Sequence, residues 1–317
     1  MEAARIQEMM DVTIAAAFAA GKWVGRGDKN TADGAAVAAM REALNQLPIS
    51  GRVVIGEGER DEAPMLFIGE EVGSGGEAID IAVDPIEGTN MTAYNQPNSI
   101  AVLAFAPRGS LLYAPDTYMH KIAAGPAARD VIDIDATPGD NCRAVAAALD
   151  KPVEDVVVCF LDRERNEEKI AAVREAGARV RLIGDGDVFG VISTAIAGAG
   201  IDLYLGSGAA PEGVLAATAM RCIDGGFQGR FLFRNDDERR RAEKTAGLDI
   251  DGVLRRDDLV RTDDAVFIAT GITDGELLRG VGSGDRANSL VMDCKSKTIR
   301  FVETIYRGRS TGALSVA

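Results

Sequence analysis

The hydrophobic residues of the N-terminal segment recur at helical spacing. This spacing predicts helices over roughly 3–24 and 34–47, and Thr31 or Asp33 is a plausible N-cap for the second helix. Shorter apolar runs follow and have the length of strands. These predicted strands lie at 52–56, 78–83, 99–106 and 110–114.

From about residue 130, short apolar strands alternate with helical segments. The predicted strands lie at 155–161, 179–184 and 201–206. The predicted helices lie at 141–149, 167–177, 187–200 and 211–223. This alternation is typical of a layered α/β arrangement. We therefore expect the second half of the chain to be an α/β domain.

A segment rich in Pro and Gly, 123–141, is the best candidate for a linker. It divides the chain into a predicted N-terminal α+β domain, 1–130, and a C-terminal α/β domain, 131–317. The highly charged run 234–244 is interpreted as a solvated helix face or loop.

Composition excludes several classes of partner. The net charge of −14 argues against nucleic acid, whose phosphate backbone requires a basic surface. No apolar stretch is long enough to span a membrane. The N-terminal apolar run lacks a basic flank and carries Glu2, Glu8 and Asp11, so it resembles an amphipathic helix rather than a signal peptide. We therefore expect a protein that binds neither nucleic acid nor membrane, and the four scattered cysteines fit a reducing cytoplasm.

Acidic residues follow four of the predicted strands. Residues just after strands tend to converge on a common crevice in layered α/β proteins, where like charges repel unless cations offset them. With one histidine and four cysteines that lack C-x-x-C spacing, the chain favours hard cations with oxygen ligands, such as Mg²⁺ or Mn²⁺, over zinc. These acids are Glu57, Glu59, Asp61, Glu62, Asp84, Glu87, Asp185, Asp187 and Glu212.

Basic and small residues near these acids indicate that the ligand is a phosphate. Lys29 lies in a Gly-rich turn, and Arg163 and Arg165 follow a strand at a spacing that suits a phosphate clamp. Gly88 and Thr89 come directly after two acids, where backbone N–H groups at a helix start can bind phosphate. Glu87 is expected one helical turn beyond Asp84, so that both could reach the same metals.

The segment "DPIEGT" has the signature Asp-Pro-(Ile/Leu)-(Asp/Glu)-Gly-Thr of the metal-dependent, lithium-sensitive sugar-phosphatase superfamily. Together with "KWVGRGDKNTADGAAVAAMR", "IGEGERDEAPM" and "APEGV" in this order, it makes nearly the whole chain resemble class II (bacterial-type) fructose-1,6-bisphosphatase. The resemblance implies an α/β (α+β) fold, a layered α-β-α-β-α sandwich of the sugar-phosphatase type. It also implies a homodimer or homotetramer.

The resemblance also implies roles for individual residues. By position it makes metal ligands of Asp33, Glu57, Asp84, Glu87 and Glu212, joined by the carbonyl of Ile86. It places Glu87, Gly88 and Thr89 at the scissile phosphate, and Asp33 and Thr89 would orient the attacking water. Lys29, Glu59 and Asp61 fall in the family's catalytic loops. Around the sugar and its distal phosphate it places Tyr118, Arg163, Arg165, Asp185, Gly186, Asp187 and Ala209.

Two departures from the family pattern bear on the substrate. Glu164 and Asn166 replace a proline and a histidine around the two arginines, which could alter the stiffness of that loop. Ala209 replaces a glycine, and its methyl group could tighten the sugar pocket.

The resemblance predicts hydrolysis of the 1-phosphate of fructose 1,6-bisphosphate by metal-activated water, as in gluconeogenesis or the Calvin cycle. The alternatives within phosphatases are a dual fructose-1,6-/sedoheptulose-1,7-bisphosphatase and another sugar or inositol phosphate phosphatase. A dinucleotide-binding oxidoreductase is disfavoured because Pro211 occupies the third-glycine position of the fingerprint. A non-catalytic metal-binding protein would not require the arginines and Thr89 beside the acids.

Overall fold

The computed structural model describes residues 1–58, 65–243, 249–282 and 285–306. The chain divides into two compact units. The first consists of Met1–Gly109 together with the chain from Val266 onward, and the second of Ser110–Ala265. This division differs from the predicted boundary near residue 130, because the strands after Ala265 pair with the sheet of the first unit.

The described residues form helices and strands throughout. The strands are β1 (Ile49–Ile55), β2 (Glu71–Val72), β3 (Glu77–Glu87), β4 (Ile100–Pro107), β5 (Tyr118–Ala124), β6 (Val157–Leu161), β7 (Arg179–Ile183), β8 (Leu203–Ala209), β9 (Gly226–Leu232), β10 (Leu254–Arg255), β11 (Val266–Gly271), β12 (Arg286–Asp293) and β13 (Thr298–Ile305). The α-helices are α1 (Ala3–Gly21), α2 (Lys29–Asn45), α3 (Thr89–Ala93), α4 (Pro138–Ala148), α5 (Glu167–Glu175), α6 (Asp187–Ser193), α7 (Ala210–Cys222), α8 (Asp236–Glu243) and α9 (Arg256–Leu259).

The first unit contains a mixed seven-stranded sheet in the order β13-β12-β11-β4-β3-β1-β2. The strands β1 and β3 are parallel, and the other pairs are antiparallel. Apolar side chains of α1 and α2, such as Met9, Ile14 and Met40, are buried in one cluster with Ile81, Leu103 and other sheet residues. Burial of this apolar area is what holds the helices on the sheet.

Helix α2 begins earlier than the sequence predicted. Its N-cap is Asp28, whose Oδ1 accepts a hydrogen bond from the N–H of Thr31 at 3.0 Å, so the prediction of Thr31 or Asp33 as the cap is wrong. The spacing of apolar residues did not reveal where α2 begins, because the first helical turn carries exposed polar residues. Lys29 and Asp33 therefore lie four residues apart on one face of the helix.

The second unit is a mixed six-stranded sheet in the order β10-β9-β5-β8-β6-β7, with β6 parallel to β7 and β8. Alternate side chains of β5 point to opposite faces. Ile122 packs in a cluster with residues of α4 and α5, such as Val145 and Ile170. Lys121 belongs to the opposite face, where Gly213 of α7 approaches it. The sheet thus has helices on both faces.

Several predicted elements differ in the structure. The segment 110–114 forms only an isolated bridge, between Leu111 and Val260, rather than a strand. The predicted linker 123–141 lies inside the second unit and includes the end of β5 and the start of α4. The helix predicted over 187–200 ends at Ser193. The mixed α/β, or α+β, fold class is confirmed. None of the described helices is long and apolar enough to cross a membrane.

The single histidine of the chain, His120, is half-buried in the middle of the second sheet. Its Nδ1 lies 3.0 Å from the carbonyl oxygen of Gly206. Burial, with a smaller contribution from the positive charge of Lys169, lowers the pKa of His120 to about 4. The folded protein therefore keeps this imidazole neutral under conditions in which the unfolded chain would protonate it.

We predict that the lowered pKa of His120 makes the protein less stable in mild acid. The unfolded chain binds a proton at His120 below about pH 6.5, and the folded chain only near pH 4. Stability should therefore fall as the pH decreases through this window, by roughly 2–3 kcal/mol. The single histidine ring signal in NMR spectra of the folded protein should titrate near pH 4, and urea unfolding of His120→Gln should lose this part of the pH dependence. A folded-state midpoint near 6.5 would contradict the prediction.

Candidate functional site

The acids of the "DPIEGT" segment lie at an irregularity of strand β3. The pairing of β3 with β4 shifts register between Asp84 and Glu87, and Asp84 Oδ1 accepts a hydrogen bond from the N–H of Ile86 at 3.0 Å. Residues three apart in a regular strand face opposite sides, whereas an extra residue in a bulge brings them to the same side. Carboxylate oxygens of Asp84 and Glu87 accordingly lie within 4.8 Å of each other.

The expectation that a helical turn separates the two acids is therefore wrong, since β3 continues through Glu87. The two carboxylates still come together, but the bulge is what aligns them. Ile86, which lies between the two acids in sequence, is buried. The participation of its carbonyl oxygen in metal binding stays a prediction.

Gly88 changes the direction of the chain from β3 into α3. Its φ of 91° is in the left-handed region that favours glycine, and Thr89 is the first residue of the following helix. Ser99 of the neighbouring segment stabilises the turn, with its Oγ 2.6 Å from Thr92 Oγ1 and 3.4 Å from the carbonyl oxygen of Glu87. The sequence thus places a backbone turn and a hydroxyl directly after two carboxylates.

Two further predicted ligands of the first unit lie on elements next to β3. The parallel register pairs Ile55 of β1 with Ala82 of β3. Glu57 and Asp84 each lie two residues beyond this pair, so they are found toward the same end of two neighbouring parallel strands. Asp33 is half-buried on α2, and burial raises the pKa of its carboxyl. Glu59 and Asp61 lie outside the described residues.

In the second unit, Glu212 lies in the first turn of α7, which begins at Ala210. Its Oε2 is buried and has no hydrogen-bond partner within the described residues. Burial raises the pKa of Glu212 to about 7, and the negative charge of Asp187 adds to this effect while Lys121 opposes it. A buried carboxylate oxygen without a donor is a suitable ligand for a cation.

Lys121 lies beside Asp187 and was not among the predicted site residues. Its ammonium group is fully buried and donates to Asp187 Oδ2 at 2.5 Å. A Cβ on Gly208 would lie 2.0 Å from the same Asp187 oxygen, so the pair requires glycine there. The available signal was a lysine flanked by apolar residues in the strand segment "MHKIAA", because a lysine in a central strand is buried only with a partner.

The remaining predicted substrate residues form two small groups. Arg163 faces Asp185 across 3.8 Å, and Gly186, with φ of 83°, turns the chain into α6 so that Asp187 begins that helix. Arg165 lies over the Tyr118 ring, 4.7 Å from its centroid. Arg163 directly precedes a short 3₁₀ segment, Glu164–Asn166, that follows β6, and Arg165 lies within this segment.

The structure gives Asn166 a definite role. It is fully buried, donates to the carbonyl oxygen of Leu161 at 2.9 Å and accepts from the N–H of Ser207 at 3.0 Å. These bonds attach the arginine loop to β6 and β8. Ala209 has φ of −73°, a conformation that any residue adopts, and it pairs with Tyr118 across the sheet. Neither residue therefore strains the backbone.

Comparison with known proteins gives one family and close relatives. Residues 4–306 match the model of bacterial fructose-1,6-bisphosphatase, glpX-encoded. A protein of Escherichia coli (strain K12) named fructose-1,6-bisphosphatase 1 class 2 is 48% identical over 94% of both chains. A Synechococcus protein (strain JA-2-3B'a(2-13)) named D-fructose 1,6-bisphosphatase class 2/sedoheptulose 1,7-bisphosphatase is 47% identical over 94% of both chains. This chain belongs to the bacterial, glpX-encoded family of fructose-1,6-bisphosphatases.

Proposed function

We propose that this enzyme hydrolyses the 1-phosphate of fructose 1,6-bisphosphate and releases fructose 6-phosphate and inorganic phosphate. The observation that carries the proposal is the bulge of β3, which holds Asp84 and Glu87 within 4.8 Å of each other directly before Gly88 and Thr89. In a member of this family, such a pair directly before the left-handed turn at Gly88 supports a metal-dependent phosphatase.

The donor set fits Mg²⁺ or Mn²⁺. Asp84, Glu87, Glu57 and Asp33 offer carboxylate oxygens on neighbouring elements of the first unit, and Glu212 offers a buried oxygen in the second. Hard divalent cations prefer such ligands and keep water molecules and substrate oxygens as the others. When bound, the cations would supply a water of lowered pKa and neutralise phosphoryl oxygens.

The residues around these ligands have separate proposed roles. Gly88 lets the backbone approach the scissile phosphate, and the Thr89 hydroxyl and Asp33 orient the attacking water. Burial raises the pKa of Asp33, which makes its carboxylate a stronger proton acceptor than a fully solvated one. Lys29 lies on the same face of α2 as Asp33 and is proposed to act with it.

The second unit supplies the proposed sugar and distal-phosphate contacts. Arg165 is held at Tyr118 by its Nε, which donates to the carbonyl oxygen of Ser207 at 2.9 Å. Arg163, Asp185, Gly186, Asp187 and Ala209 complete the proposed contacts on the sugar. A cytoplasmic location stays a prediction from the sequence, and a homo-oligomeric state stays a prediction from the family resemblance. Glu59 and Asp61 stay predicted catalytic residues.

A second candidate function is hydrolysis of sedoheptulose 1,7-bisphosphate as well. The observation that favours it is the Synechococcus relative, whose name gives both activities at 47% identity.

We expect phosphate release from fructose 1,6-bisphosphate in the presence of Mn²⁺ or Mg²⁺ and its loss after chelation by EDTA. A panel with fructose 1,6-bisphosphate, sedoheptulose 1,7-bisphosphate and inositol 1-phosphate measures the range. Turnover of inositol 1-phosphate alone would contradict the proposal.

Replacing Asp84 should abolish catalysis without unfolding the protein. We predict that Asp84→Ala lowers kcat/KM for fructose 1,6-bisphosphate by about three orders of magnitude, since electrostatic stabilisation of this kind contributes several kcal/mol. Its circular dichroism should match that of the wild type. Glu303→Ala is the control, because it removes an exposed carboxylate from β13 of the same sheet. Near-normal turnover of Asp84→Ala with either metal would refute the site.

The buried ion pair between Lys121 and Asp187 should be more important for stability than a partly exposed pair of the same length. We predict that Lys121→Met lowers the free energy of unfolding by about 3–5 kcal/mol, because it leaves Asp187 buried without its cation. The matched control is Lys151→Met. Lys151 also lies 2.5 Å from an aspartate, Asp202, but the two side chains are 26% and 18% exposed, against 0% and 5% for Lys121 and Asp187.

Urea unfolding of both variants, and of the double variant Lys121→Met/Asp187→Asn, measures the difference. The double variant should lose less stability than the sum of its single changes, because it removes both charges together. Equal losses from Lys121→Met and Lys151→Met would show that burial does not strengthen the first pair.

A further inference from the structure

Arg234 lies beside Tyr118, although the sequence placed it in a solvated charged run. Its guanidinium carbon is 5.0 Å from the centroid of the Tyr118 ring, and that of Arg165 is 4.7 Å from the same centroid. Both distances are in the range of cation–π contacts, so two positive charges converge on one ring. Their convergence on a predicted substrate residue is therefore informative.

The two arginines reach Tyr118 from different elements. Tyr118 begins β5, a central strand, and pairs with Ala209 of β8 on one side and Leu232 of β9 on the other. Arg165 belongs to the segment after β6, and Arg234 follows β9 by two residues. The sheet order therefore brings residues distant in sequence to one ring.

Both arginines are held in place through Nε. Arg165 Nε donates to the carbonyl oxygen of Ser207 at 2.9 Å, and Arg234 Nε donates to Glu238. Glu238 is itself buried, only 1% exposed, and accepts from Thr117 Oγ1 and from the N–H of Arg234, each at 2.8 Å. A carboxylate fixed by three donors orients the Arg234 guanidinium.

This arrangement leaves the outer edges of both guanidinium groups for a ligand. Within the described residues, the terminal nitrogens of Arg165 and Arg234 donate no hydrogen bond to the protein. The Arg234 side chain is about half exposed, so a ligand can reach it. Asp116 is close enough to interact electrostatically with Arg234, and with Glu238 it limits the positive charge there.

We infer that Arg165 and Arg234, on either side of Tyr118, form a binding site for a phosphate dianion, and that Arg234 is a substrate-binding residue. Planar guanidinium groups bind phosphate through pairs of N–H donors, and the terminal nitrogens of each arginine offer such a pair. This inference rests on the proposed function: the ligand is the distal phosphate of the sugar bisphosphate, the one that is not cleaved. Arg234 then determines the preference for a bisphosphate over a monophosphate.

The test compares substrates that differ only in the distal phosphate. Phosphate release from fructose 1,6-bisphosphate and from fructose 1-phosphate is measured for the wild type, Arg234→Ala and Arg234→Lys. We expect Arg234→Ala to lower kcat/KM for the bisphosphate about 10- to 100-fold, mainly through KM, and to change kcat/KM for the monophosphate less than twofold. Arg234→Lys, which keeps the charge but not the planar pair of donors, should give an intermediate loss.

The matched control is Arg240→Ala, which removes the same charge from α8. Arg240 forms an ion pair with Asp237 on the exposed surface, and both substrates should be unaffected by its loss. Arg234→Ala should fold, since Thr117 and the backbone N–H of residue 234 still donate to Glu238. If Arg234→Ala unfolds, the kinetic comparison of Arg234→Lys with the wild type decides whether Arg234 binds the distal phosphate. Equal losses for the two substrates, or no loss for the bisphosphate, would overturn the inference.

Failure of the proposed function would be visible separately. In that case the wild type would release no phosphate from fructose 1,6-bisphosphate. Calorimetric titration of the wild type and Arg234→Ala with fructose 1,6-bisphosphate, fructose 6-phosphate and inorganic phosphate then decides the anion site alone. Weaker binding of the sugar phosphates to Arg234→Ala supports it, and equal affinity overturns it. Weaker binding of inorganic phosphate alone would show an anion site that does not serve the sugar and would overturn the assignment to substrate.

Discussion

Repulsion between neighbouring carboxylates is the constraint on which the rest of this structure depends. Two unit charges 4 Å apart interact by about 4 kcal/mol at an effective dielectric of 20, so clustered acids require an offsetting cation. The second unit supplies one itself, the buried ammonium of Lys121 at Asp187. For Asp84 and Glu87 in the first unit, we propose that the offsetting cation is a divalent metal. The cost of bringing acids together thus becomes affinity for a cation.

Backbone irregularities create this cluster. A regular β3 would direct Asp84 and Glu87 to opposite faces, and the register shift between them puts both on one. Gly88 then adopts a φ of 91° and starts α3 without an intervening loop. Asp84 and Glu87 pair with Val102 and Ile100 of β4, so the ladder on that side fixes their positions. A metal site built this way loses little entropy when it binds its ion.

The sequence predicted the parts that depend on local pattern and missed those that depend on distant pairing. Helix α1 and strands β3 and β4 follow from apolar spacing, although β3 includes Asp84 to Glu87 and so continues beyond its predicted end at residue 83. Strands β11, β12 and β13 were not predicted, because their return to the first sheet follows from the long-range pairing of β11 with β4. Lys121 was missed for a similar reason: its partner Asp187 is 66 residues away and reaches it only through the fold.

A chain with a net charge of −14 binds a doubly phosphorylated sugar only if positive charge is held where the phosphates lie. The carbonyl oxygen of Ser207 holds Arg165 in place, and Asn166 anchors the loop that carries it. The buried carboxylate of Glu238 holds Arg234 in place. Anchoring through Nε fixes each guanidinium and leaves its terminal donors for a ligand. Glu238 therefore contributes to anion binding although it is negative, because an ordered arginine loses less entropy on binding than a mobile one. An excess of acid elsewhere in the chain is compatible with such a site, since its field is screened over about 10 Å at 0.1 M salt.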